Sequence, residues 1–302
     1  MAMELRQLES LVAIADGGSF SRAAITLNLA QPSLSRQMAL LEHELGHRLL
    51  VRTGRGVELT AAGEAFIVHA REMLATAQRA RDAMLDLGGE PTGRVTVGMP
   101  PRVALGLSVP LVRCFRERFP RAVITVLEGL SLSLRESLVA GRLDLALLFD
   151  PLPSPQLSYE PLMREQLLLV APPKSHLPPR VSLTSLSNYP LVLPNAPNAI
   201  RGLLDSVLGK RGVQLNVLAE VGAVQTVLAL VAEGMGCTVL PESALAASPG
   251  ASALPHAPLG PPAIRNTLML ATPLARPATR LTRETARMLR ELDFRKGLPS
   301  VA

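Results

Sequence analysis

The sequence predicts a small all-α unit that ends in a β-hairpin and a long helix, followed by a larger α/β unit. Three observations carry this reading. Residues 4–59 form short helical patterns in quick succession and then a turn-rich hairpin. Residues 60–87 repeat apolar positions at alternating steps of four and three. Beyond Gly88-Gly89-Glu90-Pro91-Thr92-Gly93, which breaks that helix and reads as a linker, strand and helix signals alternate to the end of the chain. A length of 302 residues, 48% of them hydrophobic, is enough for two or three domains with a sizeable core.

Each element has a local reason. Ser19 is placed to cap a helix running to about Leu27, its hydroxyl taking an orphan backbone N–H, and residues 28–31 interrupt the pattern. Pro32 opens the next helix, where its missing N–H costs nothing. In that helix Leu34, Met38, Leu41 and Leu45 form the buried stripe, and 100° per residue turns Pro32, Ser35, Arg36, Ala39 and His43 outward. Gly46 suits the left-handed position that ends a helix, so His47 falls beyond it. Residues 49–52 and 57–60 flank Thr53-Gly54-Arg55-Gly56, a hairpin with Arg55 at its tip. Thr60 can cap the long helix, whose seam is Phe66, Ala70, Met73, Ala77, Ala80, Met84 and Leu87. Over about 40 Å such a seam fits pairing with a second copy, the alternative being an amphipathic helix packed on its own domain.

In the larger unit, strands are expected at 94–98, 123–128, 143–149, 167–171, 191–194, 217–221, 238–240 and 266–271, with helices at 105–119, 200–208 and 224–233, and largely parallel sheets. No short-period repeat is visible.

Composition excludes some classes. Cys114 and Cys237 stand far apart, which argues against a disulfide framework or a cysteine zinc site and fits a reducing cytoplasm. The N-terminal MAMELRQLES lacks an apolar signal region, and no stretch is long enough to span a membrane, so the expectation is a cytoplasmic protein with no membrane partner. The net charge of +6 invites a nucleic-acid reading, yet acidic residues slightly outnumber arginines before residue 90. The excess lies in the C-terminal part, including Arg276, Arg280, Arg283, Arg287, Arg290, Arg295 and Lys296, where a solvated helix face explains it as well.

Catalytic motifs are scarce. There is no G-x-S-x-G, no phosphate-binding G-x-x-x-x-G-K-[ST] and no G-x-G-x-x-G after a strand, and His69, His176 and His256 stand isolated. One stretch, HELGH from His43 to His47, matches the H-E-x-x-H spacing of zinc proteases. That chemistry needs one helix through both histidines and a third ligand.

Two helices joined by a tight turn, the second with a small polar outer face, suit a DNA major groove. Arg36 can pair with guanine O6 and N7, Gln31 with adenine or a phosphate, while Pro32 and Ser35 are small enough to approach base edges. Ser33 or Arg52 would meet phosphate and Arg55 a minor groove. A plain solvated face is the alternative.

The run SFSRAAITLNLAQPSLSRQMALLEHELGHRLLVRTGRGVELTAAG resembles the winged helix-turn-helix of LysR-type transcriptional regulators. In that family S-F-x-x-A-A, Q-P-x-L-S-x-Q, L-E-x-x-L-G and R-T-x-x-G-x-x-L-T-x-A-G follow one another, and nearly every position is met, Leu50-Val51 standing where many relatives have phenylalanine. Glu42, Leu45 and Gly46 occupy the L-E-x-x-L-G step, which makes the histidines of HELGH accidental; the downstream Glu58, Glu64 and Glu72 would lie on the wing and the dimer helix. The resemblance implies a DNA-binding domain at 1–60, a linker and dimerisation helix at 61–88, and at 89–302 an effector domain of two subdomains like a periplasmic binding protein. It also implies a homodimer or homotetramer that binds double-stranded DNA and a small-molecule effector, with no metal, no cofactor and no enzymatic activity. GMPPRVA and LVLPNAPNAIRGLLD look most like the branch related to the nitrogen assimilation control protein.

Open α/β sheets bind ligands beyond the carboxyl ends of their strands, which selects Pro100, Pro101 and Arg102, then Ser131, Asp150, Asn195 and Asn198 as effector contacts. Arg102 is the expected countercharge for a small anion seated at helix N-termini. For any one of these residues a role as turn or cap is the alternative. Where relatives often carry serine or threonine after the first strand to hold a carboxylate, this chain has Pro100, Pro101 and Arg102; Asn195 and Asn198 stand where relatives of that branch have serine and histidine.

Overall fold

A computed structural model describes residues 3–54, 56–86, 91–248 and 250–298. The chain divides into two compact units, Met1–Gly89 and the segments Glu90–Val139 and Leu143–Ala302, with Ala140–Arg142 grouped with the first.

In the N-terminal unit α1 (Leu5–Gly17), α2 (Phe20–Leu27) and α3 (Gln31–Leu45) pack around Leu8, Leu11, Ile14, Leu34 and Leu41, all essentially inaccessible to solvent. Ser19 sits at the cap position of α2 but its hydroxyl caps no N–H, so the helix start relies on extended backbone alone. Pro32 lies in the first turn of α3 as expected, and Gly46, at φ 68°, ends that helix. Strands β1 (Leu50–Thr53) and β2 (Gly56–Leu59) pair antiparallel as the wing, with Leu50 opposite Leu59 and Thr53 opposite Gly56. Arg55 and Leu87 fall outside the described residues.

Helix α4 (Ala61–Asp86) follows, and Thr60 Oγ1 accepts the Gly63 N–H at 3.0 Å as its cap. Its two halves behave differently. Ile67 and Ala70 are buried in the N-terminal core with Phe66, Met73 and Leu74 packed beside them, so this half does rest on its own domain. Farther along the same seam Ala80 and Met84 are exposed, Met84 by 66%.

The C-terminal unit has two lobes. The first contains β3 (Gly93–Met99), α5 (Pro101–Arg118), β4 (Ala122–Glu128), α6 (Ser131–Val139) and β5 (Leu145–Phe149). A strand of 14 residues, β6 (Leu157–Val170), begins in this lobe and ends in the second. The second lobe holds β7 (Pro190–Pro194), α7 (Ala199–Gly209), β8 (Asn216–Val221), α8 (Val224–Ala232), β9 (Thr238–Pro241), α9 (Glu242–Ala246) and β10 (His256–Pro258). The chain then returns through β11 (Arg265–Pro273) to α10 (Arg280–Glu291) and α11 (Phe294–Gly297).

The hydrogen-bonded order is β10-β6-β11-β5-β3-β4, with β9 also on β6 and a separate β7-β8 pair. The expectation of largely parallel sheets needs correction: β3-β4, β3-β5 and β7-β8 are parallel, but every pairing made by β6 and β11 is antiparallel. The cause is chain reversal, since β6 carries the backbone out of the first lobe and β11 brings it back alongside. Sequence periodicity marked only the apolar end of β6, because residues 157–166 alternate irregularly between polar and apolar.

Side chains of Val95, Val97, Leu145, Leu147, Leu268 and Leu270 meet α5 and α10 on one face of the first lobe, with Phe115 against Phe119 at 5.4 Å between ring centres. Leu134 and Leu138 of α6 cover Ala146 and Leu148 on the other face. The second lobe encloses a core of its own, including Leu169, Leu193, Leu204, Val227 and Val239. Among the described residues no helix is long and apolar enough to cross a membrane.

Candidate functional site

The first site is the outward face of α3. Leu34, Met38 and Leu41 anchor the helix inside the domain, which leaves Gln31, Pro32, Ser33 and Arg36 exposed and Ser35 half-buried on the other side. Gln31 Oε1 accepts from Ser21 Oγ at 3.4 Å, linking the start of α3 to α2. Arg36 has no hydrogen-bond or ion-pair partner among the described residues, so its guanidinium is available to a ligand. On the wing, Arg52 lies over the Phe20 ring at 5.6 Å, which aims a cation beside α2.

Glu42, which sequence reading treated only as a motif position, ties wing to helix: its Oε1 accepts the backbone N–H of Leu49 at 2.8 Å and of Leu50 at 3.1 Å. The metal reading of HELGH fails on geometry. Helix α3 stops at Leu45, Gly46 turns left-handed, and His47 leaves the helix, so His43 and His47 do not share one helical face.

The second site is the cleft between the two lobes of the C-terminal unit. It has an inner compartment of about 190 Å³ and an outer one of about 460 Å³, which share Ser131, Phe149, Asn198 and Ala199. Four helix starts converge on the inner compartment, at Pro101 of α5, Ser131 of α6, Ala199 of α7 and Val224 of α8. Each can serve a negative or acceptor group with about 0.3–1 kcal/mol. Pro100 and Pro101 bring no N–H to the first of them.

Helix α5 starts four residues earlier than the apolar pattern indicated, so Pro101 and Arg102 are helical and only Pro100 precedes the helix. That places Arg102 in the wall rather than in a loop, 8% exposed. Its Nη1 donates to Glu165 Oε1 at 2.9 Å and Oε2 at 3.0 Å and also meets Ser243 Oγ, while the guanidinium lies 4.6 Å from the centre of the Phe149 ring. Burial pulls Arg102 below the usual arginine range, opposed by the charge and hydrogen bond of Glu165. The expectation that Arg102 is a free countercharge is therefore corrected: its charge is answered inside the protein. Glu165 also takes the Ser243 N–H and hydroxyl, so α5, β6 and α9 meet at one ion pair.

Ser131 Oγ accepts the Phe149 N–H at 2.9 Å and keeps its own proton for a ligand. Asn198 caps α7 through Oδ1 on the Ile200 N–H at 2.9 Å, leaving its amide N–H groups. Asp150 lines the outer compartment in a left-handed conformation, φ 41°, with Oδ1 on the Thr267 N–H at 3.0 Å. Partial burial raises its carboxyl above the ordinary range and that hydrogen bond opposes the shift. Asn195 is exposed and lines neither compartment; its N–H is on Val221 O and its carbonyl accepts from Asn198. Gln225, Arg135 and Arg201 also line the cleft; a rule that inspects the residues just after each strand passes over them, because they lie within α8, α6 and α7.

Comparison with known proteins assigns a family to both units of the chain. Residues 5–64 match the family described as bacterial regulatory helix-turn-helix protein, lysR family, and residues 88–293 match the LysR substrate binding domain. The nitrogen assimilation regulatory protein nac of Klebsiella aerogenes is 36% identical over 255 residues, covering 83% of this chain and 82% of that protein. AlsR of Bacillus subtilis is 33% identical over 247 residues, 80% of this chain and 82% of its own. Among solved structures, full-length OxyR from Pseudomonas aeruginosa superposes with a TM-score of 0.75 at 24% identity, covering 97% of this chain and 99% of the other. CbnR in complex with its target DNA gives 0.66 at 24% identity, covering 96% and 99%, a likeness of fold. The chain is a transcriptional regulator of the LysR family, with a DNA-binding helix-turn-helix and an effector-binding domain, similar to the nitrogen assimilation regulators and not an enzyme.

Proposed function

We propose that residues 1–60 read DNA, that residues 61–88 join two copies, and that residues 89–302 bind a small effector which alters how the paired readers sit on their site. Arg36, Ser35 and Pro32 contact base edges, Gln31 a base or phosphate, Ser33 and Arg52 phosphate, and Arg55 the minor groove. The observation that carries this reading is Arg36, without a partner among the described residues, on the solvent face of a helix whose opposite face is locked into the core. Two copies joined by a two-fold axis fit a pseudo-palindromic site with half-sites spaced by whole helical turns. The exposed second half of the α4 seam supports pairing, as dimer or tetramer, and the kinship to DNA-binding regulators supports a cytoplasmic place.

The effector occupies the cleft formed by Pro100, Pro101, Arg102, Ser131, Asp150 and Asn198, with Asn195 holding the loop that carries Asn198. Titration of wild type and Arg36→Ala on the region upstream of its own gene and on random duplex tests the DNA assignment. Losing a base contact lowers specific affinity by about 1–3 kcal/mol and leaves non-specific affinity nearly unchanged. Equal loss on both duplexes refutes the assignment.

A further inference from the structure

We infer that Glu165 sets the charge class of the effector: by neutralising Arg102 it leaves the inner cleft without a free cation, so that the cleft takes an uncharged, largely apolar molecule with a carbonyl-type acceptor rather than a carboxylate. This rests on the effector-cleft reading above and goes beyond it by naming the ligand chemistry.

Among the described residues, the one charged side chain lining the inner compartment is Arg102, and both oxygens of Glu165 hold it. Glu242 adds a second carboxyl near the same pair, pushed up chiefly by burial and then by the charge of Glu165, with His256 opposing. Among the described residues no unpaired positive charge lines the inner compartment. The other lining side chains are apolar or neutral, and the donors that remain, Ser131 Oγ–H, the Asn198 amide and the helix starts, suit a neutral oxygen. A carboxylate would enter an apolar space without a countercharge, which helix ends alone offset poorly. In the outer compartment Arg201 is held by Asp205 and Glu220, and Arg135 has among the described residues the neutral partners Tyr159 Oη and Pro153 O, with Asp150 and Asp205 lining the same space. Two arginines and two aspartates therefore balance there.

The test is fluorine NMR titration of the full-length protein with para-fluorobenzamide and para-fluorobenzoate at millimolar concentrations. The expected result is at least about tenfold tighter binding of the amide. Glu165→Gln releases the charge of Arg102 and should tighten the acid by about tenfold with little change for the amide; Glu165→Asp should restore the amide preference. That return of preference would not follow from a merely structural role. Should Glu165→Gln fail to fold, the double change Arg102→Met with Glu165→Leu removes both charges and should keep the amide ahead. Wild type that binds the acid as well as the amide overturns the inference. So does binding of neither, an unchanged ratio in folded Glu165→Gln, or acid binding abolished by Arg135→Ala. Sequence-specific DNA binding without either probe is measured alongside: its loss would sink the regulator reading, whereas its retention with acid preference sinks only the assignment of ligand class.

Discussion

Replacing Glu42 with alanine should detach the wing from α3. Its carboxylate accepts two backbone N–H groups, from Leu49 at 2.8 Å and Leu50 at 3.1 Å, at the point where the chain leaves α3 and enters β1. Both donors belong to buried residues, at 1% and 9% exposure, so neither N–H is simply returned to water when the acceptor is lost. Hydrogen bonds to a charged group contribute about 1.5–3 kcal/mol each. Glu42 itself is half-buried, and partial hydration of the vacated space should bring the combined loss to about 2–3 kcal/mol. For a unit of this size that lowers the melting midpoint by roughly 10 °C or more. Glu42→Gln keeps an acceptor oxygen and loses only the charge, so about 1 kcal/mol is expected. The assay is thermal unfolding of the full chain together with amide hydrogen exchange at Leu49 and Leu50, whose protection should fall most in the alanine variant. An alanine variant within about 0.5 kcal/mol of wild type, with protection at those amides intact, would refute the anchoring argument.

Three further substitutions probe other links. Gly63 in the first turn of α4 has no room for a side chain: a Cβ there would overlap the Leu49 carbonyl oxygen and lie 3.0 Å from Leu59 Cδ2, so Gly63→Ala should destabilise the N-terminal unit by about 1–3 kcal/mol in chemical denaturation. Met84→Arg on the exposed part of the α4 seam should weaken self-association in sedimentation while leaving the melting of the N-terminal core unchanged, because the buried residues of this helix lie earlier, at Ile67 and Ala70. Asp150→Asn keeps an acceptor for Thr267 and removes a carboxyl whose folded-state pKa is raised. A raised carboxyl costs stability as pH climbs from its unfolded towards its folded pKa and beyond, so the variant should gain over wild type at neutral pH, by less than about 1 kcal/mol given the exposure of the group, and lose that advantage in acid. Melting curves at both pH values check the sign.

Much of the N-terminal unit was legible because its signals are local. The stripe Leu34, Met38 and Leu41, the stop at Gly46, the cap at Thr60 and the turn between residues 53 and 56 depend on neighbours a few residues away, and the structure places each where periodicity and turn chemistry put it. Ser19 shows the limit of that approach: it occupies the cap position without making the capping bond.

In the effector domain the strands with strong apolar runs were visible, but the irregular first half of β6, the short β10 and the early start of α5 were not. The strand-end rule points to Ser131, Asp150, Asn195 and Asn198, of which Ser131, Asp150 and Asn198 line the cleft while Asn195 stands beside it as the acceptor of the Asn198 N–H.

What the sequence determined by itself is the family, the outward face of α3 and the ends of the strands, all properties of short, contiguous patterns. Only the tertiary structure decided that Arg102 is already answered by Glu165, 63 residues away, and braced by Ser243, 141 residues away. Charge neutralisation depends on distance and burial, and neither is written in the order of residues when three separate elements must fold together before the charges meet.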